Sequence, residues 1–302
     1  MAESTDVIAN GPLNLTDAPM LHDLTLEDGA NLSNSNAYIL FSLQQIDRLG
    51  LLNFTALETV QQLTRLPNLV EARFTDVRLI TQEPTTAPAH TKLARLYLCF
   101  SDDETLGYFT SALTLPALES LEVKVNYKSS SDFAMNTIHP FLHRSQCKLA
   151  QLRLRYRIDY HDSPDLVGLL ARLSSLRELD ICVPTGLHTP SGLDNRLFDA
   201  LRHLQHPSFL PLLQIFSYEG PFLTGTNLAE IMEPLILRAT NEECHGIHDR
   251  RRLESVWIQT DYLEGNLSGA FISPGVLIEV KRLVASGCFQ LLDMKRVSWF
   301  SS

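Results

Sequence analysis

Apolar residues recur along this chain in a three-point frame of the form LxxLxL. It appears at Leu21-Leu24-Leu26, Ile46-Leu49-Leu51, Leu69-Ala72-Phe74, Leu93-Leu96-Leu98 and Leu118-Leu121-Val123. It continues at Leu149-Leu152-Leu154, Leu176-Leu179-Ile181, a degenerate Leu212-Ile215-Ser217, Leu253-Val256-Ile258 and Phe289-Leu292-Met294. The starts are evenly spaced early and spread out after Leu176. Frames of this kind arise by chance in any apolar-rich chain, so the weight falls on their spacing and on what separates them. Alternation within each frame predicts a short strand with one face buried.

Between most frames lies a segment of helical periodicity. The predicted helix faces are Leu106-Phe109-Leu113, Ile138-Phe141-Leu142, Leu166-Leu169-Leu170-Leu173, Leu197-Phe198-Leu201-Leu204, Leu228-Ile231-Met232-Leu235 and Val276-Val280-Leu283. Ser163-Pro164 and Ser273-Pro274 supply an N-cap followed by a favoured first helical residue. Several helices then run into the next strand through Leu-Pro or a close variant, at Leu66, Leu115, Leu173 and Phe209. Proline there stops the helix and sets the direction of the strand.

A unit of one strand, a loop and one helix cannot bury its own apolar face, so stacking has to supply the core. The pattern therefore predicts an α/β fold: a leucine-rich-repeat solenoid, or horseshoe, with an inner parallel β-sheet and outer helices. Residues 13–302 form one domain of about ten irregular repeats, after a flexible segment or partial cap at residues 1–12. The competing fold is a doubly wound α/β domain. Its central strands would read as continuous Val/Ile runs, whereas these are polar at alternate positions. The Asn or Cys usual three positions after the frame is mostly missing, which predicts irregular loops. Thr81 to Thr91, rich in Pro and Thr, reads as an exposed loop, and Trp299 with Phe300 as cover for the last strand.

The quoted units "LPNLVEARF", "LPALESLEV", "LSSLRELDI" and "FLPLLQIFS", with the opening "DAPMLHDLTLE" at Asp17, resemble the repeats of F-box/leucine-rich-repeat proteins, especially the divergent fungal set. The resemblance covers the chain from about Leu13 to its end. In that family an N-terminal F-box docks the Skp adaptor of a cullin ubiquitin ligase while the repeats hold the substrate. It implies a protein-protein interaction scaffold, related to substrate recognition. No F-box element is visible ahead of Leu21, so Skp docking is not expected and the partner is a protein of unknown identity. Two other readings stand beside this one: an enzyme on a doubly wound fold, and a non-functional truncated paralogue.

A net charge of -10 at neutral pH opposes attraction to phosphate backbones and anionic membranes, so neither nucleic acid nor membrane is an expected partner. No signal peptide or apolar run of transmembrane length is visible, which makes cytoplasm or nucleus the expected location. Five scattered cysteines fit reduced thiols better than a disulfide framework.

Candidate chemistry is thin. Cys244, His245 and His248 provide at most three metal ligands, which reads as a surface loop. His161, Asp162 and Ser163 are adjacent in sequence, which is not triad geometry, and Ser163 is already a helix cap. No catalytic, cofactor-binding or metal site is expected. The expected protein-binding face is the concave one, whose side chains alternate with the frame leucines: Arg73, Tyr97, Glu122, Arg153, Arg155, Asp180, Phe216, Tyr218 and Trp257. Arg153 and Arg155 read either as hot-spot arginines or as a solvated face paired with Glu122 and Asp180. Phe216 sits in the degenerate repeat, where a one-residue slip sends it to the core.

Overall fold

A computed structural model describes residues 14–15, 21–27, 40–41, 45–79, 89–100, 102–125, 131–155, 166–183, 195–202, 209–220, 228–240, 251–260 and 274–293. Strands β1 (Asn14–Leu15) and β3 (Leu40–Phe41) pair in a small parallel ladder. The remaining strands are β2 (Asp23–Glu27), β4 (Arg48–Leu52), β5 (Glu71–Val77), β6 (Arg95–Phe100), β7 (Ser120–Val125), β8 (Gln151–Arg155), β9 (Glu178–Cys182), β10 (Ile215–Glu219), β11 (Ser255–Thr260) and β12 (Phe289–Asp293). Among the described residues the helices are α1 (Ala56–Arg65), α2 (Asp103–Ala112), α3 (Ser131–Ser145), α4 (Leu166–Leu170), α5 (Asn195–Leu201), α6 (Leu228–Thr240) and α7 (Pro274–Ala285).

β2 and β4 to β12 form one ten-stranded, all-parallel sheet in strict chain order, β2 at one edge and β12 at the other. The order never reverses, so among these strands there is no switch point of the kind at which doubly wound sheets bind ligands. Consecutive helices touch, α1 to α2 and on to α7, and their apolar sides close with the inward strand residues into a single buried cluster. This arrangement fits a solenoid-like winding in which each unit packs on its two neighbours.

The stacking is uniform at the level of single hydrogen bonds. Just before each strand one carbonyl accepts two backbone N–H groups from the following unit. Asp47 O takes Val70 and Glu71, Val70 O takes Ala94 and Arg95, and Glu119 O takes Ala150 and Gln151. The series runs on through Ala150, Arg177 and Gln214. The Leu-Pro turns repeat as well: Leu69, Leu118, Leu176 and Leu213 donate to the carbonyls of Leu66, Leu115, Leu173 and Leu210 at 3.1, 3.2, 3.0 and 3.2 Å.

No single residue type ties these turns together; unlike side chains reach across to the neighbouring unit. Ser175 Oγ donates to Leu149 O at 2.8 Å and Arg144 Nη2 to Leu113 O at 2.7 Å, while Ser145 Oγ accepts from Leu115 N at 3.1 Å. Buried Arg238 donates to Leu210 O at 2.6 Å. Buried His90 occupies the turn position held elsewhere by leucine. Its Nδ1 accepts from Leu93 N at 3.2 Å, so the ring proton sits on Nε2, which donates to Leu66 O at 2.8 Å.

Two frames are corrected. In the degenerate repeat the inward residues are Leu213, Phe216 and Tyr218, all 0% exposed, while Ile215 is 39% exposed on the other side. A slip of one residue inverts every side chain of a strand, and burying Phe and Tyr removes far more apolar area from water than burying Ile and Ser. In β12, Phe289 pairs in register with Val256 and Leu291 with Ile258, so Phe289 takes the second point of the frame. The cause is the end of α7. Gly287 adopts φ 77, Gly287 N donates to Val284 O and Cys288 N to Leu283 O, a Schellman ending that passes directly into the strand and leaves no Leu-Pro-type turn. Ser163-Pro164, Trp299, Phe300 and residues 81–88 of the expected exposed loop lie outside the described residues, and His90 near the end of that loop is buried because its ring ties the turn at Leu66.

Candidate protein-binding face

Strand residues that alternate with the buried ones project from the side of the sheet opposite the helices, here called the open face. Register places them in rows across the strands. One row runs Thr25, Gly50, Arg73, Tyr97, Glu122, Arg153, Asp180, Ser217, Trp257 and Gln290. It brings together Arg73, Tyr97, Glu122, Arg153, Asp180 and Trp257 of the expected site, and Arg155 follows on β8 in the next row, opposite Lys124 and Cys182. Phe216 and Tyr218 are not on this face. Both are buried, with the Phe216 ring edge-on to Phe198 at 6.2 Å between centroids.

At β5 and β6 the Arg73 guanidinium lies 5.0 Å from the centre of the Tyr97 ring. The Tyr97 hydroxyl is pushed up to about 12, first by burial, then by the neighbouring Cys99 and Glu122, with Arg73 opposing. From β7 to β9 the arginines are internally neutralised. Arg153 Nη2 donates to Glu178 Oε1 at 2.8 Å, while Nη1 lies 4.0 Å from Glu122 and Nε 4.0 Å from Asp180. Arg155 is 3.6 Å from Glu122, and Gln151 also donates to Glu178 at 2.9 Å. The Glu178 hydrogen bond is the first cause holding the Arg153 pKa above its ordinary value. Arg153 is about two-fifths exposed (43%), and pairs of this exposure are worth about 0–1 kcal/mol each, so the network orders the face more than it stabilises the fold.

Glu178 is the anchor of that network and escaped the sequence map, which began one alternation too late along the strand. The signal was available: it lies two residues before Asp180 and therefore on the same face. Cys182, beside Arg155 and Glu219, has its thiol pushed up to about 11, by burial first and then by the Glu219 charge. An adjacent arginine opposes that shift without reversing it, so this thiol is a poor nucleophile at neutral pH.

Gln290 ends the first row on β12, and Asp293 pairs with Thr260 farther along the strand. His161 to Ser163, and Cys244, His245 and His248 lie outside the described residues. Among the described residues no group of three His, Cys, Asp or Glu side chains is placed to hold a metal ion. No helix among them is long and apolar enough to cross a membrane. What the open face offers is a laterally continuous strip of polar, charged and aromatic side chains on a rigid sheet. No family model, no curated protein and no solved structure matches the chain.

Proposed function

We propose that this chain is a leucine-rich-repeat solenoid acting as a protein-protein interaction scaffold, with the open face as the inner, partner-holding face of a horseshoe. The carrying observation is the uniform register: one unit repeated along the sheet sets the same side-chain positions side by side and varies only their chemistry. A surface of that kind suits an extended protein segment, which meets one row after another. Substrate recognition in the style of F-box/leucine-rich-repeat proteins, in cytoplasm or nucleus, is the corresponding role. The chain carries no strong basic excess that would favour nucleic acid, its net charge being -10.

Cross-linking of the tagged chain in its source cell tests this. Lys124 stands on the open face on β7, and exposed Lys281 stands on the helix side on α7. Partner cross-links are expected at Lys124; cross-links confined to Lys281 would overturn the assignment of the face. Skp and cullin components among the cross-linked proteins mark the ligase role, and a single unrelated protein marks an adaptor.

A further inference from the structure

The open face changes character between β9 and β10. On the β5 to β9 side several charges are matched in pairs, Arg95 with Glu71 at 2.9 Å, Arg153 with Glu178 at 2.8 Å and Arg155 with Glu122 at 3.6 Å. On β10 and β11 the first two rows hold Ile215, Ser217, Ser255 and Trp257, with no charge among them, and the third row holds Glu219 and Gln259. Register sets these four at the corners of a square, Ile215 beside Ser255 and Ser217 beside Trp257. The two large apolar side chains therefore stand on one diagonal and the two small ones on the other. Ile215 is 39% exposed, one of few large hydrophobic residues so placed among the described residues.

The two zones differ in what binding costs. A partner that covers the paired zone must strip water from charges already satisfied by each other, a cost that is returned only in part. A partner that covers the square desolvates a Trp and an Ile, the kind of charge-depleted centre in which binding energy concentrates. At the border the acidic side is under-compensated. Arg153 is taken by Glu178, Asp180 lies at the 4.0 Å limit from it, and Glu219 stands two residues beyond Ser217 on the same strand. With a net charge of -10, the chain also favours cationic partners over anionic ones at a distance.

We infer that the square on β10 and β11 is the affinity centre of the open face and takes an aliphatic or aromatic anchor side chain of an extended protein segment that carries Lys or Arg beside that anchor. The inference rests on the open face being the binding face. It also removes Arg153 from the set of hot-spot residues, since its guanidinium is committed within the sheet.

The test is selection from a random dodecapeptide display library on the full chain, followed by fluorescence anisotropy with the selected peptides. The expected consensus holds Leu, Ile, Phe or Trp next to Lys or Arg. Trp257→Gln weakens binding roughly tenfold or more, and Glu219→Gln weakens it by a smaller factor that shrinks as salt is raised. Lys281→Gln, on the helix side, leaves it unchanged, and Arg153→Gln does not weaken it, because removing that guanidinium releases Glu178 and Asp180 for the cation of the peptide. Ile215→Thr provides the second variant, because an exposed β-branched replacement leaves the fold intact; it too lowers affinity. An acidic consensus, or peptides that depend on Arg73 and not on Trp257, would overturn the inference while leaving the open face as the binding face. Peptides that ignore every open-face substitution would overturn both.

Discussion

Ile215 and Phe216 are neighbours in the chain, and which of them faces the helices decides the chemistry of the whole tenth strand. Phe216→Ala removes a fully buried ring and is expected to cost about 3–5 kcal/mol. Ile215→Thr lies at an exposed position and is expected to stay within about 0.5 kcal/mol. Urea denaturation of the two variants separates the registers, and the reverse order of costs would restore the Leu212-Ile215-Ser217 frame. A second expectation concerns alkaline pH. The Cys182 thiol rises from 9.0 to about 11 and the Tyr97 hydroxyl from 10.0 to about 12 on folding. Both are acids whose neutral form the fold prefers, so their contribution to stability is complete below the ordinary values and is lost as pH rises through the folded ones. Thermal melts between pH 9 and 12 are therefore expected to fall, and Tyr97→Phe with Cys182→Ala to flatten the fall. An unchanged slope in the double variant assigns the loss to other groups. At this scale six of the expected open-face residues were legible from alternation alone, as was Arg155 in the next row. Phe216 and Tyr218 were not, because the frame search accepted Ile215 and tolerated Ser217 where a better-filled frame lay one residue on.

Helices and turns were legible to the extent that their signals repeat. Phe109, Phe141, Leu169, Phe198, Ile231 and Leu283, one from each predicted face, lie in helices and are buried. The turns at Leu66, Leu115 and Leu210 carry Pro next, which fixes φ there, and the turn at Leu173 makes the same hydrogen bond with Ser174 in that place. α1 was missed, although its start is marked by a capping box. The Thr55 side chain accepts from Glu58 N at 3.2 Å, and Glu58 accepts from Thr55 N at 3.0 Å. This Thr-x-x-Glu opening has no Pro at the first helical position, unlike the Ser-Pro openings at Ser163 and Ser273. The missing Asn ladder predicts irregular loops after the strands, and most of those loops lie outside the described residues; the turns ahead of the strands carry ties from His90, Arg144, Ser145, Ser175 and Arg238. Such ties join residues some two dozen positions or more apart and differ in type from one unit to the next, so no sequence period carries them. They satisfy buried carbonyls and N–H groups that would otherwise cost about 1–3 kcal/mol each.

Over the whole molecule, stability is a matter of neighbours. Every strand from β4 to β11 is hydrogen-bonded to the strand before it and the strand after it, and no described strand of the sheet reaches across to a distant one. A defect in one unit is then felt by the two units beside it and fades beyond them, as expected of a one-dimensional stack. Leu152, in the middle of β8, is 0% exposed and stands between Leu121 and Leu179 in register. Leu152→Ala is expected to cost about 2–5 kcal/mol in the region it supports. Amide hydrogen exchange gives the spatial pattern: protection should drop in β7, β8 and β9 and hold in β4 and β5, which share no contact with the cavity. The open-face network spans the same strands through Arg153, Glu122 and Glu178, but its pairs are too weak to hold them once the core beneath is thinned. A uniform loss of protection from β2 to β12 would mean that the sheet opens as one cooperative body, and the description of the chain as stacked, nearly independent units would then be wrong.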